Sequence, residues 1–227
     1  MLIGILQCGH FVEREGVPFR DYTQLYADML DGYGFKFRGW DVVDMEFPSS
    51  IRDADGWLVS GSKHGTYDDL PFIPRLEDFI RDVYAESVPL VGVCVGHQIM
   101  AQAFGGKAGK FDGGWAIGPT SYDFGDAALA LNAWHQDQVI TPPPEATTIA
   151  SSQFCKHAAL AYKGRAYSVQ PHPEFDKLEL ETLLDLRAPG LVPDEIIETA
   201  RARLSRPNDN KAMADRIAAF LKGENNV

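Results

Sequence analysis

Cysteine is scarce, with Cys8, Cys94 and Cys155 the only three in 227 residues. So few and so scattered, they exclude a disulfide framework and read as reduced thiols. Long hydrophobic runs are missing too, since no apolar stretch approaches the ~20 residues needed to span a bilayer. The amino terminus, MLIGILQCGH, carries no basic segment ahead of its short apolar run and does not read as a secretory signal. Basic charge is in short supply: 21 Lys and Arg face 32 Asp and Glu, a formal charge of −11. The acidic residues are spread along the chain, so no basic footprint exists for a phosphate backbone, and nucleic acid is disfavoured as a partner. Internal repeats, low-complexity tracts, domain-dividing linkers and phosphate-cradling glycine loops are all lacking. The expectation is one domain over residues 1–227, soluble and cytoplasmic, with no membrane partner.

What is present is an alternation of strand-like and helix-like segments. LIGIL (2–6) reads as a buried strand, and RDYTQLYADMLDGYG follows with Tyr22, Leu25, Tyr26 and Met29 at helical spacing before a stop at Gly32 and Gly34. FKFRGWDV and GWLVS look like the next strands. PRLEDFIRDVYAES is amphipathic, with Leu76, Phe79, Ile80 and Val83 on one face, and PLVGVC is another buried strand. Such alternation predicts an α/β fold, a parallel sheet covered by helices on both sides. The second half holds shorter strands, AIGPTSYDF, LALNAWH, ATTIASS, AALAYKG and RAYSVQ, and reads as a β-rich extension of the same sheet. Lys163-Gly164 marks a turn and Pro142–Pro144 a loop. KLELETLLDLRA, PDEIIETARARL and KAMADRIAAFLKG, within residues 176–222, read as helices, the second capped near Pro193-Asp194.

One strand ends unusually. After PLV the chain runs Gly92-Val93-Cys94-Val95-Gly96 and then HQIMAQAF, with Ile99, Met100 and Ala103 at core spacing. A nucleophile on a sharp strand-to-helix turn needs small neighbours, and glycines two before and two after supply that room. The following helix lowers a thiol pKa through its positive end, and the N–H after the nucleophile is free to hold an oxyanion. A free cysteine that merely packs fits the pentapeptide equally well. A base decides between them. In SVQPHPEF, His172 ends a predicted strand and Glu174 stands two residues on; in extended backbone their Cα atoms lie ~6.6 Å apart on one side. The carboxylate can then hold the imidazole tautomer as the third member of a nucleophile–base–acid triad. A second oxyanion donor is available in the loop Gly61–Gly65, which also leaves a predicted strand. Ligands of open α/β sheets bind beyond the carboxyl ends of strands, and all three candidates fall on that rim.

With these residues assembled, the chain resembles the class I glutamine amidotransferases, whose catalytic domains carry a Gly-x-Cys-x-Gly-x-Gln elbow and a distal His-Pro-Glu. Here the elbow is Gly92 to Gln98 and the distal element is Gln170-Pro171-His172-Pro173-Glu174, within a resemblance covering about residues 1–180. The resemblance implies a three-layer, flavodoxin-like open mixed sheet. It further implies Cys94 as nucleophile, His172 as base, Glu174 as its orienter, and the N–H groups of Gly61 and Val95 as oxyanion donors. Gln98 would help hold the glutamine moiety. Gly114-Trp115-Ala116-Ile117-Gly118 looks like the family's Gly-Trp-x-x-Gly element and Trp134-His135-Gln136-Asp137 like its Trp-His-x-Asp segment, which puts Trp115 and His135 at the pocket. The long loop SGSKHGTYDDLPFIPRL departs from the shorter type of synthetase-linked members and is similar to that of stand-alone proteins, some of them γ-glutamyl peptidases. Nothing after residue 180 resembles an ATP-binding synthetase domain.

The implied activity is cysteine-dependent hydrolysis of the γ-amide of glutamine or of a γ-glutamyl compound through a γ-glutamyl thioester, with no cofactor. The runner-up is a glutaminase subunit that supplies ammonia to a separate synthetase partner. A degenerate binding module is disfavoured by the intact Cys, His and Glu. A zinc site drawn from His64, His135, Asp137, His172 and Glu174 lacks the His-x-x-x-His helix pair and competes with the triad for two residues, so no metal is expected. The carboxy-terminal helices could cover the site, form a dimer surface or complete the core, and no motif specifies an oligomeric state.

Overall fold

The computed structural model describes residues 1–224. Strand β1 (Leu2–Leu6) is followed by α1 (Tyr22–Met29), β2 (Lys36–Trp40), β3 (Gly56–Val59), α2 (Phe72–Ala85), β4 (Leu90–Val93) and α3 (Val95–Ala103). Next come β5 (Lys107–Lys110), β6 (Ala116–Asp123), β7 (Ala128–His135), β8 (Asp137–Thr141), β9 (Thr147–Ala150), β10 (Ala159–Tyr162) and β11 (Ala166–Val169). Helices α4 (Lys177–Leu186), α5 (Asp194–Arg201) and α6 (Asn210–Leu221) complete the described chain.

Seven strands form one mixed sheet in the order β2-β1-β3-β4-β11-β10-β9. The first five are mutually parallel, and β10 runs antiparallel to both its neighbours. Successive side chains of a strand point to opposite faces, and that alternation divides the interior into two layers. Ile3, Ile5, Leu58, Val91 and Val93 pack on one face with α1, α4 and α6; Leu6, Trp57, Val59 and Leu90 pack on the other with α2 and α3. Every residue of β3, β4 and β11 is buried, as central parallel strands require. Each large apolar side chain so placed stabilises the fold by about 1.5–3 kcal/mol relative to exposure. The result is the open α/β sheet with helices on both faces that the sequence predicts.

Two expectations are corrected. The second half is only partly an extension of the main sheet: β9, β10 and β11 join it, but β6 and β7 pair with each other from Ala116↔His135 to Asp123↔Ala128 as a separate ribbon. β11 occupies the edge of β4, and the hairpin meets the main sheet only through the isolated bridge Asp123↔Ser151 just past β9. It packs against α5 and α6 instead, and Gly118, at φ +81, takes a backbone conformation that would strain a side chain. The pair β5–β8 has no counterpart in the sequence reading. Its first strand, Lys-Ala-Gly-Lys, carries no apolar alternation. The second correction concerns helix starts. α2 begins at Phe72, with Pro74 tolerated in its first turn, and α3 begins at Val95 immediately after the cysteine. The turn between β10 and β11 holds both Lys163 and Gly164 at positive φ, the arrangement whose twist matches paired strands.

Candidate active site

Cys94 lies between β4 and α3 at φ 53 and ψ −106, a backbone conformation that costs a non-glycine residue about 1–3 kcal/mol. The surroundings enforce it. Its N–H donates to the Val169 carbonyl at 2.9 Å, the Gly96 N–H donates to Ser60 O at 3.0 Å, and the Gln98 N–H donates back to Cys94 O at 3.0 Å. Side chains at the flanking glycines are excluded: a Cβ on Gly92 would overlap Met100 Sδ and the Gly96 carbonyl, and one on Gly96 would overlap the Val59 carbonyl. The turn therefore binds the ends of β3 and β11 together and presents Cys94, 5% exposed, at the foot of a cavity of about 430 Å3.

His172 enters from the loop after β11, where its N–H donates to the Asn132 carbonyl of β7 at 2.8 Å. Its ring is sandwiched flat against Phe175, with centroids 4.1 Å apart and planes 3° apart. Nδ1 meets Glu174 Oε1 at 2.7 Å, which leaves Nε2 for Cys94, a hydrogen-bonding neighbour. Burial opposes charging this imidazole, but the adjacent Cys94 and Glu174 charges and hydrogen bonds outweigh it and hold His172 well above the ordinary imidazole range. At neutral pH His172 is therefore the imidazolium, the form able to give a proton to a departing group.

The orienting carboxylate has a second partner. Tyr26 Oη, on α1, donates to the same Glu174 Oε1 at 2.8 Å, while Glu174 Oε2 is buried without a partner. The Tyr26 hydroxyl in turn accepts the Gly61 N–H at 3.3 Å. Gly61 sits against the triad, because a Cβ there would lie 2.9 Å from His172 Cε1, yet its N–H is turned into the interior and not toward the cavity. The next residue, Ser62, lines the cavity, and its side chain pins the loop by donating to Cys8 O at 2.7 Å and accepting the His64 N–H at 3.0 Å. Among the described residues the Ser62 N–H has no acceptor. Val95, the other expected donor, is the first residue of α3 and lines the cavity with an N–H that has no intrahelical partner.

Gln98, Trp115 and His135 all reach the cavity wall. Gln98 spends its amide hydrogens on Asp137 O at 3.0 Å and Gln170 Oε1 at 3.1 Å, leaving its own oxygen free. His135 donates from Nδ1 to Asp137 O at 3.2 Å, and its buried Nε2 has no partner. Burial first, and the charge of His172 second, push its pKa down to about 3, so it offers a neutral acceptor. His97, beside the nucleophile in sequence, is structural: Nε2 donates to His157 O at 2.9 Å and Nδ1 accepts from Ser168 Oγ at 2.8 Å. Its pKa falls to about 3, chiefly through burial. Of the residues considered for zinc, His172 and Glu174 are bonded to each other, and among the described residues no cluster of three His, Cys, Asp or Glu has metal-binding geometry.

Sequence reasoning missed Tyr26, Tyr22, Ser62 and Arg187. Tyr22 and Tyr26 read as core from their spacing; the usable signal was that they begin the helix of the first βα unit, whose amino end faces the strand termini where ligands bind. Arg187, at the end of α4, lines the cavity with Leu183 one turn earlier. The end of α4 and Leu191 after it thus wall the site, and α6, through Met213, Ile217 and Phe220, completes one core layer.

Comparison with known proteins follows the same lines. γ-Glutamyl peptidase 3 of Arabidopsis thaliana is 28% identical over 226 aligned residues, covering 90% of this chain and 91% of that one. The GMP synthase of Aliivibrio fischeri is 32% identical over 166 residues, 67% of this chain but 30% of that longer protein. The structure of a glutamine amido transferase from Methylobacillus flagellatus superposes with a TM-score of 0.76 at 22% identity, over 100% of this chain and 96% of the other, and shares its fold. Residues 21–184 match the family described as glutamine amidotransferase class-I, and the chain belongs to that family.

Proposed function

We propose that the protein hydrolyses the γ-amide bond of glutamine or of a γ-glutamyl compound, with Cys94 as nucleophile, His172 as general acid and base, and Glu174 as the orienter of His172. The observation that carries this reading is the strained Cys94 turn set against an imidazole whose far nitrogen is held by a buried carboxylate at 2.7 Å.

In the first half-reaction Cys94 Sγ bonds to the γ-carbonyl carbon and the π electrons move onto oxygen. That oxygen takes its hydrogen bonds from the Val95 and Ser62 N–H groups, since Gly61 has committed its own to Tyr26. The intermediate collapses as the C–N bond breaks and His172 Nε2 gives its proton to the departing nitrogen. A γ-glutamyl thioester remains. Water then attacks it, surrenders a proton to His172, and expels the Cys94 sulfur as the C–S bond breaks, so glutamate leaves and both residues return to their starting states. Gln98 Oε1, an acceptor left unfilled at the wall, suits the α-ammonium of the glutamyl moiety. Tyr26 acts as a positioning residue that ties the orienter to the oxyanion loop.

The buried Gly61 N–H also favours a second reading, an ammonia-supplying subunit whose oxyanion loop turns outward only when a synthetase docks. Glutamate release by the purified chain separates the two, across glutamine, glutathione, γ-glutamyl-methylamide and γ-glutamyl-p-nitroanilide, with Cys94→Ala as control. Turnover without nucleotide or partner supports the hydrolase. Turnover on glutamine that appears only with cell extract supports the subunit, and turnover that survives Cys94→Ala refutes both.

A further inference from the structure

The chain is strongly acidic, yet the cavity wall carries Lys63, Lys110 and Arg187 against only two carboxylates, Asp68 and Asp137. Those carboxylates are engaged locally. Asp68 accepts the Gly65 N–H at 3.0 Å and lies 3.7 Å from His64, while the half-buried Asp137 takes a hydrogen bond from Tyr67 and feels Lys110. Lys63 and Arg187 have no carboxylate within 4.0 Å among the described residues. Nearby arginines are treated differently: Arg14 and Arg201 share Asp185 at 2.9 and 2.6 Å, and Arg20 pairs with Asp28 and Glu179. The surface around α4 neutralises these cations and leaves Arg187, itself half-buried, facing the cavity. Its direction is set by the helix, since Leu183 and Arg187 stand four residues apart on one face and the Arg187 N–H donates to Leu183 O at 2.8 Å.

We propose that Arg187 and Lys63 form a leaving-group subsite that takes a carboxylate carried on the amine side of the scissile bond. The preferred substrate is then a γ-glutamyl amino acid or peptide with a free carboxyl terminus. This rests on the γ-glutamyl hydrolase reading and adds to it the chemistry of the departing half. The departing amine collects its proton from His172, so it occupies the His172 side of Cys94. From there the aromatic stack runs from His172 to Phe175 at 4.1 Å and on to Tyr22 at 6.3 Å, which lines the cavity together with Arg187. Lys63 and Arg187 both line this one cavity, together with His64. Arg187 lies beyond residue 184, where the match to the family stops, and Lys63 lies in the long loop after β3. Cations in these two places belong to specificity rather than to the shared bond-breaking machinery.

The test compares kcat/KM for γ-glutamylglycine and for γ-glutamylglycine amide, which differ only in the charge of the leaving group. A charge-assisted contact in a partly enclosed site predicts a preference for the acid of about tenfold or more. The preference should shrink in 0.5 M salt and approach unity in Arg187→Gln with Lys63→Gln. Equal kcat/KM for the two substrates in the unaltered protein overturns the proposal, and this comparison holds even if the double variant does not fold. An Arg187→Gln loss that is the same for acid and amide also overturns it, because the arginine would then hold the α-carboxylate of the glutamyl half. Cys94-dependent glutamate release from both at equal rates refutes the subsite alone, whereas no release from any γ-glutamyl substrate refutes the underlying reading with it.

Discussion

Tyr26→Phe removes one oxygen atom from the centre of the site and changes no apolar contact. In the structure that oxygen donates to Glu174 Oε1 at 2.8 Å and accepts from the Gly61 N–H at 3.3 Å. Among the described residues Glu174 Oε2 has no partner, and the hydroxyl is one of two groups fixing the carboxylate, the other being the His172 ring it must orient. A hydrogen bond to a charged group is worth about 1.5–3 kcal/mol, and each 1.4 kcal/mol is a factor of ten in rate. The bond exists before and during reaction, so only part of it appears in the barrier, and kcat should fall about tenfold with KM within about twofold. The assay is glutamate release from a γ-glutamyl amide between pH 5 and 10, with melting followed in parallel. Tyr167→Phe is the matched control, a buried tyrosine whose hydroxyl contacts Met213 Sδ at 3.3 Å, remote from the triad; it should lose some stability and keep kcat. Unaltered kcat in folded Tyr26→Phe would refute the claim that the hydroxyl positions the triad.

Two further predictions concern stability. At the positive φ of Cys94 a Cβ is strained, so Cys94→Gly should be more stable to denaturant than Cys94→Ala by about 1 kcal/mol although neither turns over; the opposite order would mean that the turn stores no strain. His97 and His135 are held neutral to about pH 3, whereas the unfolded chain protonates them near pH 6.5. Unfolding therefore takes up protons below pH 6.5, and their contribution to stability is lost as pH falls from there toward 3. His97→Gln, which keeps a donor for the His157 carbonyl, should lower the slope of unfolding free energy between pH 4.5 and 6 by about 1.4 kcal/mol per pH unit in urea titrations. An unchanged slope would contradict a neutral, buried His97.

How much of this site can be read from the chain depends on how far apart its partners lie in sequence. The nucleophile turn is legible because its steric demand is local: Gly92 and Gly96 stand beside Cys94, and each excludes a side chain that the packed backbone could not admit. His172 and Glu174 are legible as a closely spaced pair, but the extended backbone expected between them is in fact a turn at Pro173-Glu174, closed by the Phe175 N–H donating to His172 O at 3.3 Å. The parallel core strands are legible as apolar runs, but the β6–β7 ribbon is not told apart from sheet strands by alternation, because alternation reports one buried face and not which edge is occupied. Tyr26 meets Glu174 across 148 positions, and on α1 its spacing is that of any core tyrosine; only the position of its hydroxyl distinguishes it. Arg187 is harder still. Its side chain resembles those of Arg14 and Arg201, and what sets it apart is that these share Asp185 while it has no carboxylate among the described residues. An unpaired charge is a property of the folded surroundings, so specificity carried by such a residue becomes visible only once every neighbour has been placed, whereas the bond-breaking groups, constrained by strain and short reach, announce themselves in the order of residues.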